Sequence, residues 1–104
     1  MFGFDTLMRQ AQEMQAKMAT IQEELGNRKV IGSSGGGMVT VVCTGKQELV
    51  SVSIDKVLME GDDATMLEDL VLTAANEALR QAREMAAEEI RSVTGGLNIP
   101  GLTG

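Results

Sequence analysis

The sequence predicts an α+β fold: a helix, a three-stranded antiparallel meander and then a long helix. Three observations carry that expectation. Apolar residues near the start recur at helical spacing, β-branched runs separated by turn residues fill the middle, and an alanine-rich apolar stripe behind an acidic front end fills the second half. The chain has 104 residues, enough for one domain. We place that domain at residues 1–94 and expect residues 95–104 to be a flexible glycine-rich tail.

The first helix is expected from Asp5 to Leu25. Leu7, Ala11, Met14, Met18, Ile21 and Leu25 follow one another at spacings of 4, 3, 4, 3 and 4, the stripe of an amphipathic helix with coiled-coil character. Arg9, Glu13, Lys17, Thr20 and Glu24 fall on the opposite face, where Arg9–Glu13 and Glu13–Lys17 have the i,i+4 spacing of ion pairs. Gly26-Asn27 reads as the C-cap. The strands follow as Val30-Ile31, Met38 to Thr44 and Leu49 to Ile54. Val39, Val41 and Cys43 share one face of the second, and Val50, Val52 and Ile54 one face of the third. Gly32 to Gly37 reads as a long, soft link and Thr44-Gly45-Lys46-Gln47 as a short hairpin connection. Such a meander needs a helix across its apolar face to be stable. Glu60-Gly61-Asp62-Asp63 announces the second helix, with Thr65 and Glu68 spaced as a capping box. From Leu67 to Ile90 its apolar face, rich in alanine, is wider than one small sheet covers, and Gly95-Gly96 stops it.

Composition narrows the function. There is no His, Cys43 is the only cysteine, and the aromatic content is Phe2 and Phe4 alone. Triad chemistry, an intrachain disulfide, the usual zinc ligand sets and base-stacking platforms are therefore outside the chain's means, and no enzyme or cofactor is expected. No apolar run is long enough for a membrane span, no signal peptide is visible, and a single unpaired cysteine suits a reducing cytoplasm. The glycine-rich segment lacks the Lys and the following helix of a phosphate loop, so it reads as a link between strands. The acidic residues at 60–69 lack the alternating ligand order of a calcium loop and read as helix-capping groups.

The net charge of −6 hides an asymmetry. Residues 1–46 carry Arg9, Lys17, Arg28, Lys29 and Lys46 against four carboxylates, whereas residues 47–104 carry four basic and eleven acidic side chains. An anionic partner should therefore meet the first half, with the acidic remainder turned away or limiting non-specific contact.

Several stretches carry a family resemblance. They are Met14-Gln15-Ala16-Lys17-Met18, Gly35-Gly36-Gly37-Met38-Val39, Ser53-Ile54-Asp55, Met66 to Val71, Ala74-Ala75-Asn76-Glu77-Ala78 and Thr94-Gly95-Gly96-Leu97. In these stretches, and in its order of elements, the chain resembles the YbaB/EbfC family of bacterial nucleoid-associated proteins. The resemblance implies a homodimer with projecting helices arranged like tweezers. It also implies binding to double-stranded DNA in the cytoplasm and nucleoid, with effects on nucleoid organisation and gene expression. It transfers no catalytic residue, cofactor or small-molecule substrate. On residue type and placement, Arg9, Lys17, Arg28 and Lys29 are the candidate phosphate contacts. The alternative is an acidic protein-interaction adaptor that grips a protein through its apolar helix faces and does not bind nucleic acid.

Overall fold

The computed structural model describes residues 2–94, in the order α1 (Phe2–Asn27), β1 (Lys29–Ser34), β2 (Val39–Thr44), β3 (Leu49–Ile54), α2 (Lys56–Met59) and α3 (Ala64–Thr94). The expected flexible tail at 95–104 and its glycine stop lie outside the described residues. The three strands form one antiparallel sheet in the order β1-β2-β3, so the helix, meander and long helix take the predicted order. The elements differ from expectation at their edges. β1 runs on to Ser34, so the soft link contracts to a single 3₁₀ turn, Gly35–Gly37, in which all three glycines have positive φ. A short helix, α2, stands between β3 and the acidic stretch before α3, with the Asp55 carboxylate accepting from the Val57 amide at 2.9 Å. The expected Thr65/Glu68 capping box is replaced by Asp63, whose Oδ1 accepts from the Met66 amide at 2.9 Å. Gly26 and Asn27 complete the last turn of α1 rather than lying beyond it.

The core is the interface of α3 with the sheet. Val39, Val41 and Cys43 on β2 and Ala74, Ala78 and Ala82 on α3 are completely buried. Alanine at every fourth position gives α3 a smooth ridge, and β1 answers it with Gly32. A Cβ on Gly32 would overlap the Ala74 carbonyl oxygen and the Ala78 amide nitrogen, so the missing side chain is what lets helix backbone rest on strand backbone. Val30 and Leu79 pack against the same cluster.

β3 is only partly covered. Its register with β2 pairs Val41 with Val52 and Val39 with Ile54, then slips by one between Val42 and Cys43, which places Leu49 opposite Cys43. Leu49, rather than the expected Val50, therefore continues the row of Val52 and Ile54 on the α3 side of the sheet. On that side Leu49 and Val52 remain 49% and 47% exposed, because α3 lies over β1 and β2.

α1 packs alongside the far end of α3 through its second half alone: Ile21 and Leu25 are buried, and Met14 and Met18 are half-buried. Every residue from Gly3 to Glu13 is exposed, including Leu7 of the predicted stripe. The helix thus leaves the body as an arm, and the protomer is 72 × 26 × 16 Å with a radius of gyration of 19.7 Å. A compact chain of this length would have a radius near ~13 Å.

Candidate nucleic-acid interface

The four basic residues singled out in the sequence are all exposed, but they form no single patch. At ~1.5 Å of rise per residue, Arg9 and Lys17 are about 12 Å apart along α1, and Arg28 follows about 28 Å from Arg9. They mark out a line along the molecule, from the arm to the junction with the sheet. The expected Arg9–Glu13 and Glu13–Lys17 ion pairs are not among those formed by the described residues. An exposed pair on a helix is worth about 0.2–0.5 kcal/mol, so spacing alone does not decide whether it forms: Arg80 closes such pairs on α3, and Arg9 and Lys17 do not on α1. Glu13 and Lys17 instead border an open groove of about 490 Å³, lined with Leu7, Gln10, Ala11, Met14 and Val93.

Arg28 is differently placed. Its Nη1 meets Glu89 Oε1 at 2.7 Å, which ties the start of β1 to α3. The acidic half of the chain therefore does not turn wholly away from the basic half, as its charge separation suggested. A pair whose members stand 61 positions apart has no local signature in sequence.

The fold also brings in a cation that sequence reasoning counted but did not select. The β2–β3 hairpin folds back on the α1–β1 junction, where the Gly45 amide donates to both Leu25 O at 2.9 Å and Arg28 O at 3.0 Å. A Cβ on Gly45 would stand 2.6 Å from Leu25 O, so only glycine permits this approach. Lys46 is next in the chain, and its stem passes over Gly26: a Cβ there would be 3.4 Å from Lys46 Cδ and 3.8 Å from its Nζ. Lys29 pairs with Thr44 in the sheet register, which places Arg28, Lys29 and Lys46 at one end of the sheet, where α1 joins it. Their common position depends on a register and a hairpin contact, and residue spacing reveals neither.

On α3 the basic side chains are in part occupied. Arg80 donates to Glu77 at 2.6 Å and to Glu84 at 2.7 Å. The hydrogen bonds from Arg80, and then from Gln81, hold the Glu77 carboxyl below its usual range, and Glu77 in turn raises Arg80. Among the described residues no cluster of carboxylates, Cys and His could hold a metal ion, and no helix is long and apolar enough to cross a membrane.

The family model of the YbaB/EbfC DNA-binding family matches residues 1–97. The chain belongs to the YbaB/EbfC family. It is 55% identical over 100 residues to a nucleoid-associated protein of Desulforamulus reducens, covering 96% of this chain and 95% of that one. It is 50% identical over 101 residues to the nucleoid-associated protein TTE0040 of Caldanaerobacter subterraneus subsp. tengcongensis, covering 97% and 91% of the two chains. The fold is similar to the crystal structure of the uncharacterized protein HP0035 from Helicobacter pylori, with a TM-score of 0.74, 27% identity and coverage of 82% of this chain and 89% of that one. The family is a DNA-binding one, and the relatives matched here are named as nucleoid-associated proteins of bacteria.

Proposed function

We propose that the protein acts in the cytoplasm as a homodimer that holds duplex DNA through phosphate contacts, and that it influences nucleoid organisation and gene expression in this way. The observation that carries the reading is membership, along residues 1–97, of a DNA-binding family. Among the residues whose side chains are described Phe4 is the single aromatic, too little to stack a run of unpaired bases, which favours contact with the backbone of a duplex. Arg9, Lys17, Arg28 and Lys29 are the proposed contacts. Their spread along the molecule suits a tract of duplex better than a single pocketed phosphate. The exposed Leu49 and Val52 of β3 support the dimer: a second copy would cover the part of the sheet face that α3 leaves open.

A titration of labelled duplex across salt tests the DNA reading. Log affinity should fall linearly with log salt, at about −0.9 per phosphate neutralised. With a net charge of −6 on each chain, binding should be weak at high salt. No complex with duplex at low salt would remove this reading and leave the acidic adaptor in its place.

A further inference from the structure

We infer that Lys46, at the tip of the β2–β3 hairpin, contacts DNA phosphate together with Lys29, while Glu89 holds Arg28 back from that contact. The inference rests on the DNA-binding reading; it adds Lys46 to the candidates taken from the sequence, keeps Lys29 and ranks Arg28 below both.

Three observations converge. First, the hairpin is fixed. The Gly45 amide is anchored on two carbonyls, and Thr44 Oγ1 accepts from the amides of Lys46 at 3.2 Å and Glu48 at 3.4 Å. A cation on a fixed turn loses less freedom on meeting a phosphate than one on a loose loop. Second, among the described residues neither Lys29 nor Lys46 has a carboxylate within 4.0 Å, whereas Arg28 is in contact with Glu89. Third, the two lysines are neighbours in the fold. Lys29 is opposite Thr44, and Lys46 follows two residues later at the turn. Duplex DNA carries about one charge per ~1.7 Å of axis, so two adjacent cations meet two phosphates without strain.

Arg28 differs in its exchange. For a phosphate to take its guanidinium, the Glu89 carboxylate must be displaced, and it then faces the incoming anion at close range. The gain from the new pair is offset by the broken Arg28–Glu89 pair and by repulsion between like charges. Glu48, two residues beyond Lys46, is the other acidic group at the hairpin, and its influence extends to the Cys43 thiol.

A structural role for Lys46 is the competing explanation, since its ammonium also lies near the C-terminal end of α1, which has no basic residue in its last turn. The test therefore measures duplex affinity across salt together with melting temperature for the full chain and for Lys46→Ala, Lys46→Arg, Lys29→Ala, Arg28→Ala and Glu89→Gln. Lys46→Ala and Lys29→Ala should each flatten the log–log slope by about one unit for each phosphate no longer neutralised, with Lys46→Arg close to the unmodified protein. Arg28→Ala should change the slope less than either, and Glu89→Gln should tighten binding by roughly two- to fivefold. The inference is overturned if the unmodified protein binds and Lys46→Ala keeps its slope. It is equally overturned if Arg28→Ala costs more than Lys46→Ala, or if affinity merely tracks melting temperature and Lys46→Arg restores neither. Failure of the unmodified protein to bind duplex would be a different result, and would remove the DNA reading itself.

Discussion

At Gly32 the backbone of α3 rests on β1 with no room for a Cβ, and the groups in the way are a carbonyl oxygen and an amide nitrogen, neither of which can rotate aside. Gly32→Ala must push the helix off the sheet and loosen Ala74 and Ala78 from Val41. We expect a loss of about 3 kcal/mol, at the upper end of overpacking effects, seen as a lower urea midpoint. Cys43 is a second residue with a measurable consequence. Burial, and then the Glu48 carboxylate, push its thiol above the ordinary value. A group whose folded pKa is raised contributes stability that is complete below its unfolded pKa, near ~8.5 for cysteine, and is lost as pH rises through the folded value. The urea midpoint should therefore fall between neutral pH and pH of about 10, and Cys43→Ala should show a smaller fall over the same interval.

Among the elements, α1 shows how far periodicity reaches. The 4, 3, 4, 3, 4 spacing identified the helix and its apolar face, but spacing names a face and not the surface that covers it. The structure divides the stripe: Leu25 is 1% exposed and Leu7 is 63% exposed. Leu25→Ala should cost about 2–4 kcal/mol by thermal or chemical unfolding, while Leu7→Ala should stay within about 0.5 kcal/mol. Equal costs would show that the arm is packed as the body is. The long helix and the meander were legible for the same reason as α1, since alternation and four-residue spacing are local. The bulge that exchanges Val50 for Leu49 was not, because a register belongs to two strands together. Asp63 displaced the expected capping box because four residues there could each cap, and position in the chain does not rank them. Toward the candidate site the sequence reached residue types alone: Arg9, Lys17, Arg28 and Lys29 were selected by charge and placement, and all four are exposed. The Glu89 partner of Arg28 and the arrival of Lys46 beside it were not, since both arise from residues distant in sequence.

For the whole molecule, the open part of the sheet face makes a prediction about assembly. Replacing Leu49 and Val52 together by Asp puts two carboxylates on a surface that the proposed second copy would bury, where unpaired charge costs several kcal/mol. Light scattering should give twice the 11.1 kDa chain mass for the unmodified protein and a single chain for the variant, with circular dichroism unchanged. A dimer mass for both would move the interface elsewhere, to the arm or to α2. Arg80→Ala, by contrast, removes a guanidinium already engaged by Glu77 and Glu84, so duplex affinity should change little in the same salt titration. The clasp at Gly45 has a mechanical consequence. By gripping the chain at Leu25 and Arg28 it sets the direction in which α1 leaves the sheet, and the helix carries that direction over about 21 residues, or about 31 Å, back to Phe4. A tilt of about 10° at the clasp would sweep the tip through about 5 Å, more than a strand spacing. In the proposed dimer the distance between the two tips would therefore be set at the hairpin, and a duplex at the proposed Lys46 contact would press on the part of the molecule where a small angle has the largest reach.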